Sequence, residues 1–115
     1  MLTDFTFNPS WGNLNYLNLS GNNFSGEWEL VINLSSKLIS NLYLSNNSLT
    51  GFKALPNIRI QALHLNDNNI SSLPADPSFG KADQLLQLFL NGNNLTSFEG
   101  YKEWVNLNSL QIQNN

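Results

Sequence analysis

The amino-acid sequence predicts a solenoid, a coil of short parallel strands that closes its core by stacking one turn on the next. Three observations predict it. One pattern occurs five times: an apolar residue, two free positions, Leu, one free position, an apolar residue, two free positions and Asn. It reads "LNYLNLSGN" at 14, "ISNLYLSNN" at 39, "IQALHLNDN" at 60, "LLQLFLNGN" at 85 and "LNSLQIQNN" at 107. The starts are 25, 21, 25 and 22 residues apart, the spacing of a structural repeat. Within each unit the two apolar residues that lie two apart fall on the same side of a strand, because successive side chains point to opposite faces.

Taken in order, the units build buried files. The first apolar positions are Leu14, Ile39, Ile60, Leu85 and Leu107; the second are Leu17, Leu42, Leu63, Leu88 and Leu110; the third are Leu19, Leu44, Leu65, Leu90 and Ile112. A fourth file, Phe24, Leu49, Ile70 and Leu95, follows the asparagines, and Trp28, Phe52, Leu73, Phe98 and Trp104 are expected to close the outer arc. Burying one such side chain contributes roughly 1.5 to 3 kcal/mol, and only a neighbouring turn can supply the cover, so stability accumulates along the stack. Asn22, Asn47, Asn68, Asn93 and Asn115 stand where the chain leaves the strand and turns inward. A short amide offers both a donor and an acceptor to backbone groups that water cannot reach. These five are expected to form a structural ladder, the alternative being a polar binding stripe.

On these motifs the chain resembles the leucine-rich repeat family from residue 14 to residue 115. The resemblance implies an α/β-type, right-handed coil with a concave parallel β-sheet and a convex side that is mostly irregular or 3-10. "SGEW" after Phe24 and "TGF" after Leu49 resemble plant-type repeats, whereas "ISSLP" at 70 to 74 and "LTSF" at 95 to 98 are similar to shorter classes. Residues 1–13 are expected to be a partial N-terminal repeat; "FNPSWGNL" at 7 to 14 resembles the outer arc of repeats in some protozoan surface proteins. In an alternative register Leu2, Phe5 and Phe7 form a degenerate strand. Neither end carries a recognisable cap, which leaves Leu107, Leu110 and Ile112 on an open edge. Either the chain is a piece of a longer array, the favoured expectation, or two copies meet as a homodimer through that edge.

Composition narrows the function. A chain of 115 residues, 41% apolar and 11% charged, forms one domain whose polar surface is carried mainly by Asn and Ser. The net charge of −3 and the scattered Lys37, Lys53, Arg59, Lys81 and Lys102 argue against a nucleic-acid surface. No apolar run is long enough to span a bilayer. The absence of cysteine removes disulfides, thiolate metal sites and cysteine hydrolases. The opening "LTDFTFNPSW" has neither a basic start nor an apolar stretch, so no secretory signal is legible.

The residues that the repeat leaves free carry the functional expectation. Between the two strand leucines stand Asn18, Tyr43, His64, Phe89 and Gln111; beside them run Tyr16, Asn41, Ala62, Gln87 and Ser109, and on the other flank Ser20, Ser45, Asn66, Asn91 and Gln113. Tyr16, Tyr43, His64 and Phe89 make an aromatic stripe on an otherwise uncharged polar sheet, with Asp67 the single nearby charge. The expected partner-binding set is Tyr16, Asn18, Asn41, Tyr43, His64, Asn66, Asp67, Gln87, Phe89, Asn91 and Gln111. Phe89 is expected to be fully exposed, as aromatics at protein contacts often are. The competing reading is that cross-strand aromatic pairs merely stabilise the sheet.

Chemistry fails on inventory: His64 has no second His, no Cys and no orienting group that completes a known constellation, so neither an enzyme, a metal nor a cofactor is expected. Glu27, Glu29, Asp76, Asp83, Glu99 and Glu103 are assigned to the convex or loop side. Six N-x-Ser/Thr sequons, at Asn18, Asn23, Asn33, Asn46, Asn69 and Asn94, are in part a by-product of the repeat's own turn. With the plant-type turns they tilt the localisation toward a cell-surface or secreted origin rather than a cytoplasmic one. The expected function is a non-catalytic recognition module for a protein or peptide. The alternatives are an architectural or self-associating array and a binder of carbohydrate or ice through the Asn, Ser and Gln columns.

Overall fold

A computed structural model describes residues 1–73 and 82–115. Its strands are β1 (Tyr16–Asn18), β2 (Ser25–Leu30), β3 (Lys37–Tyr43), β4 (Ser48–Ala54), β5 (Ile58–His64), β6 (Gln87–Phe89) and β7 (Ser109–Gln111). β1, β3, β5, β6 and β7 pair in that order as one parallel sheet, so the chain is a parallel-strand solenoid of about four turns. The pairing sets Leu17, Leu42, Leu63, Leu88 and Leu110 opposite one another. Leu42, Leu63 and Leu88 have no exposed surface, nor do Leu44, Leu65 and Leu90 in the next inward file. At β7, which is paired on one side only, Leu110 and Ile112 are 40% and 37% exposed.

Two features depart from the expected class. Among the described residues the only helix is a single 3-10 turn at Ala82–Gln84, which does not confirm the α component of an α/β assignment. The outer arc of the first two turns is a second parallel sheet, β2 with β4, where irregular or 3-10 structure was expected. Here the chain alternates: Leu30 and Ile32 point into the core with Trp28 half-buried, while Glu27, Glu29 and Val31 face out. That period of two suits a strand with one buried face. Trp28 stacks on Phe52 at 6.0 Å, and Lys53 pairs with Glu27 at 3.1 Å across the outer surface. On the described part of the later turns the arc is closed instead by Leu73, Phe98 and Tyr101 half-buried and Trp104 buried. Pro74, Asp76 and Lys81 lie outside the described residues.

Residues 1–13 contain no strand and form the outer half of a turn. Leu2 donates its N–H to Asn22 Oδ1, and its carbonyl accepts from Asn23 N–H. These are the bonds that Phe24 makes with Asn47 and Ser48 one turn later. Phe7 enters the core, with Trp11 edge-on to it at 5.7 Å. Lys37, one of the five scattered basic residues, is buried at the start of β3. Its ammonium donates to the Gly12 carbonyl at 2.8 Å and lies 5.7 Å over the Phe7 ring, clasping the N-terminal segment. Burial pushes its pKa below the usual lysine value.

Candidate binding face

The five asparagines lie just beyond the ends of the sheet strands and are tied to backbone on both sides. Asn68 donates to the carbonyls of Leu44, Leu65 and Asn66 at 3.0, 3.0 and 3.2 Å and accepts from Leu49 N–H at 3.0 Å. Asn47 and Asn93 repeat the arrangement one turn before and after. Asn115 donates to Leu90 and Ile112 and accepts from Leu95, while Asn22 donates to Leu19 and Ser20. The carbonyls of Leu19, Leu44, Leu65 and Leu90 thus each receive two amides, one from their own turn and one from the next.

One residue before each of these asparagines, Gly21, Asn46, Asp67, Gly92 and Asn114 all adopt positive φ, between 54° and 70°. Glycine takes this left-handed conformation freely, and Asn and Asp are the other residues that tolerate it best. Sequence reasoning passed over the column because three residue types share a torsion rather than a side chain; the signal was its restriction to Gly, Asn and Asp. Asp67 belongs here, its carboxylate lying over Gly92, where an added Cβ would overlap Asp67 Oδ1.

On the outward face of the sheet the pairing places Asn18, Tyr43, His64, Phe89 and Gln111 in one row and Tyr16, Asn41, Ala62, Gln87 and Ser109 in the next. Three rings of the first row form a continuous stack. Tyr43 and His64 centroids are 4.2 Å apart at 19°, and His64 and Phe89 are 4.4 Å apart at 11°. Tyr16, 54% exposed, meets Tyr43 diagonally from the neighbouring row at 5.2 Å and 48°. Phe89 is therefore half-buried, not fully exposed as expected, because one of its faces lies on His64. Because the rings face one another, a partner lying on the sheet meets their rims.

His64, between two rings, is partly desolvated, and this holds its pKa below the ordinary histidine value, favouring neutral imidazole. Among the described residues no group of three or more His, Cys, Asp or Glu is placed to hold a metal ion.

The remaining expected contacts divide. Asn18 accepts Ser20 N–H at 3.0 Å and so belongs partly to a local turn. The side-chain oxygens of Asn66 and Asn91 are covered by protein. Asn41 and Gln87 flank Ala62 and border a hollow of about 270 Å³. Ala62 is only 5% exposed although it points outward, and sequence reasoning gave it no role.

What fold and face define together is a parallel-strand solenoid with a half-exposed aromatic stack on its sheet. No protein-family profile, curated protein or solved structure matches the chain. No helix among the described residues is long and apolar enough to cross a membrane.

Proposed function

We propose that this chain is a non-catalytic leucine-rich repeat recognition module that binds a protein or peptide on its five-stranded face. The observation that carries the reading is the stack from Tyr16 through Tyr43 and His64 to Phe89, which projects from the sheet and keeps its rims in solvent. Rigid aromatic groups with few rotatable bonds lose little entropy on contact and are enriched at interface centres, where charge is depleted. The expected set of contacts narrows to the stack with Asn41, Gln87 and Gln111, because Asn18, Asn66 and Asn91 turn their oxygens toward the protein and Asp67 lies over Gly92. Parallel strands about 4.8 Å apart make five rows roughly 20 Å across, room for a peptide or one face of a small protein.

The test is to pan a random-peptide phage library on the protein and measure the selected peptides by calorimetry. Tyr43→Ala and Phe89→Ala are each expected to weaken binding by roughly 2 kcal/mol, about thirtyfold, with the urea unfolding transition still cooperative. Peptides that bind all the aromatic variants as tightly as the wild type would remove the proposal.

A further inference from the structure

The hollow beside the ring stack has a composition of its own. Ala62 lies at its centre, with Asn41 and Gln87 on either side in the same row and Ser40, Gln61, Leu86 and Asn108 from the row before. No charged residue lines it. Asn108 and Leu86 are fixed from behind, Asn108 N–H donating to the Leu86 carbonyl at 2.8 Å and Leu86 N–H to that of Gln61 at 2.9 Å. Throughout the ladder, and at Asn57, which donates to the Ile32 and Leu34 carbonyls, amide side chains are consumed by backbone. The four around Ala62 are not: no hydrogen bond within the described residues engages the side chains of Asn41, Gln61, Gln87 or Asn108.

Four free amides around a central methyl offer paired donors and acceptors and no net charge. We propose that this hollow is a subsite for the side-chain amide of a Gln or Asn in a bound peptide, with the neighbouring peptide residue lying against the ring rims of Tyr43, His64 and Phe89. The proposal rests on the peptide-binding reading above and adds the identity of one contact. A primary amide matches the lining because each carries two N–H donors and one carbonyl, so two amides can exchange a pair of hydrogen bonds without leaving a group unsatisfied. A carboxylate has only acceptors and would lose half of those bonds while being desolvated. The volume, about 270 Å³, leaves room for one side chain of a peptide.

The ring geometry favours peptide over sugar, because most of the ring faces lie against one another. Saccharides lay their C–H faces on aromatic faces, but both faces of His64 are taken by Tyr43 and Phe89, and those two rings each spend one face on it. The rims that remain carry the positive edge of the ring quadrupole, which attracts carbonyl oxygens and the faces of other rings, both of which a peptide supplies.

The experiment pans the same random-peptide library on the wild-type chain and on Ala62→Leu, which fills the hollow from its centre and leaves the rings in place. Wild type is expected to enrich peptides with Gln or Asn beside an aromatic or apolar residue. Replacing that Gln by Ala or Glu should weaken binding at least about tenfold to wild type and leave it unchanged to Ala62→Leu. Should Ala62→Leu fail to fold, Asn41→Ala with Gln87→Ala removes two walls and must abolish the same discrimination. Peptides that depend on Tyr43 and Phe89 but show no amide preference would overturn this inference and leave the proposed function standing. Peptides indifferent to the rings would overturn both. A neutral glycan that binds on an array and is lost in Ala62→Leu would assign the hollow to sugars and overturn the amide assignment.

Discussion

Replacing Asn68 tests the inner ladder where, with Asn93, it is most enclosed. The residue is 5% exposed, and its amide serves four backbone groups from two successive turns and the return segment between them. In Asn68→Ala the carbonyls of Leu44 and Leu65 still receive Asn47 and Asn93, at 3.1 and 3.0 Å, so they lose one donor of two. Leu49 N–H has no such substitute. It belongs to a residue with no exposed surface, and a buried donor left without an acceptor costs about 1 to 3 kcal/mol. Adding the lost net bonds to the carbonyls, each about 0.5 to 1.5 kcal/mol and only partly forfeited, brings the expected loss to roughly 3 kcal/mol. Asn22→Ala should cost about 1 kcal/mol, because the Leu2 N–H that it serves is exposed and can turn to water.

Asn68→Asp separates donor from acceptor. The acceptor for Leu49 N–H survives, but a carboxylate now faces three carbonyls in a buried place, which raises its pKa above the unfolded value. A raised acid is destabilising above its unfolded pKa, and the loss is recovered as pH falls through the folded pKa, when the protonated group can donate again. Urea unfolding at about pH 7 and about pH 4.5 should therefore place Asp below Ala at the higher pH and close the gap at the lower one. An Asn68→Ala transition within about 1 kcal/mol of wild type, or an Asp variant whose deficit does not respond to pH, would refute the ladder as a source of stability.

Two further perturbations address the turn column and the stack. Gly92→Ala should cost about 1 to 2 kcal/mol by chemical denaturation, from its φ of +70° and the overlap with Asp67. Gly100→Ala, whose added Cβ would sit 3.9 Å from the Trp104 ring with no positive φ, should stay within about 0.5 kcal/mol. Because His64 has a depressed pKa in the fold, the unfolded chain protonates first as pH falls. Stability should drop below about pH 6.5 and level off once the folded pKa is passed. His64→Gln should lose that part of the pH dependence between about pH 7.5 and 5; an unchanged slope would assign it to other groups.

The repeat was legible because its signal is strict: the inward positions hold Leu or Ile in every strand, and stacking converts that into files with no exposed surface at the centre. The second sheet was harder to read. Its inward residues Trp28 and Leu30, and Ile32 just beyond the strand, alternate as a strand should, but Gly26 and Gly51 and the neighbouring acids read as loop chemistry. The burial of Lys37 was not legible for a different reason. Its burial depends on carbonyls 25 and 26 residues earlier in the chain, and no local pattern announces a contact of that separation. On the candidate face the row of rings could be named from spacing, whereas their mutual stacking depends on neighbouring strands holding the rings one layer apart. The hollow was invisible because it is made by what Ala62 lacks.

The inner ladder and the outer stack are two ends of one hydrogen-bonded chain. Tyr43, His64 and Phe89 each accept, through their carbonyls, an N–H from the preceding turn's Leu19, Leu44 or Leu65 at 2.8 Å. Each of those leucines in turn has its own carbonyl gripped by two asparagine amides. The ring-bearing residues are therefore positioned by buried and half-buried groups of the coil, with neither a disulfide nor cysteine to help. A face ordered in this way loses little further freedom when a partner settles on it, so more of the contact energy would appear as affinity.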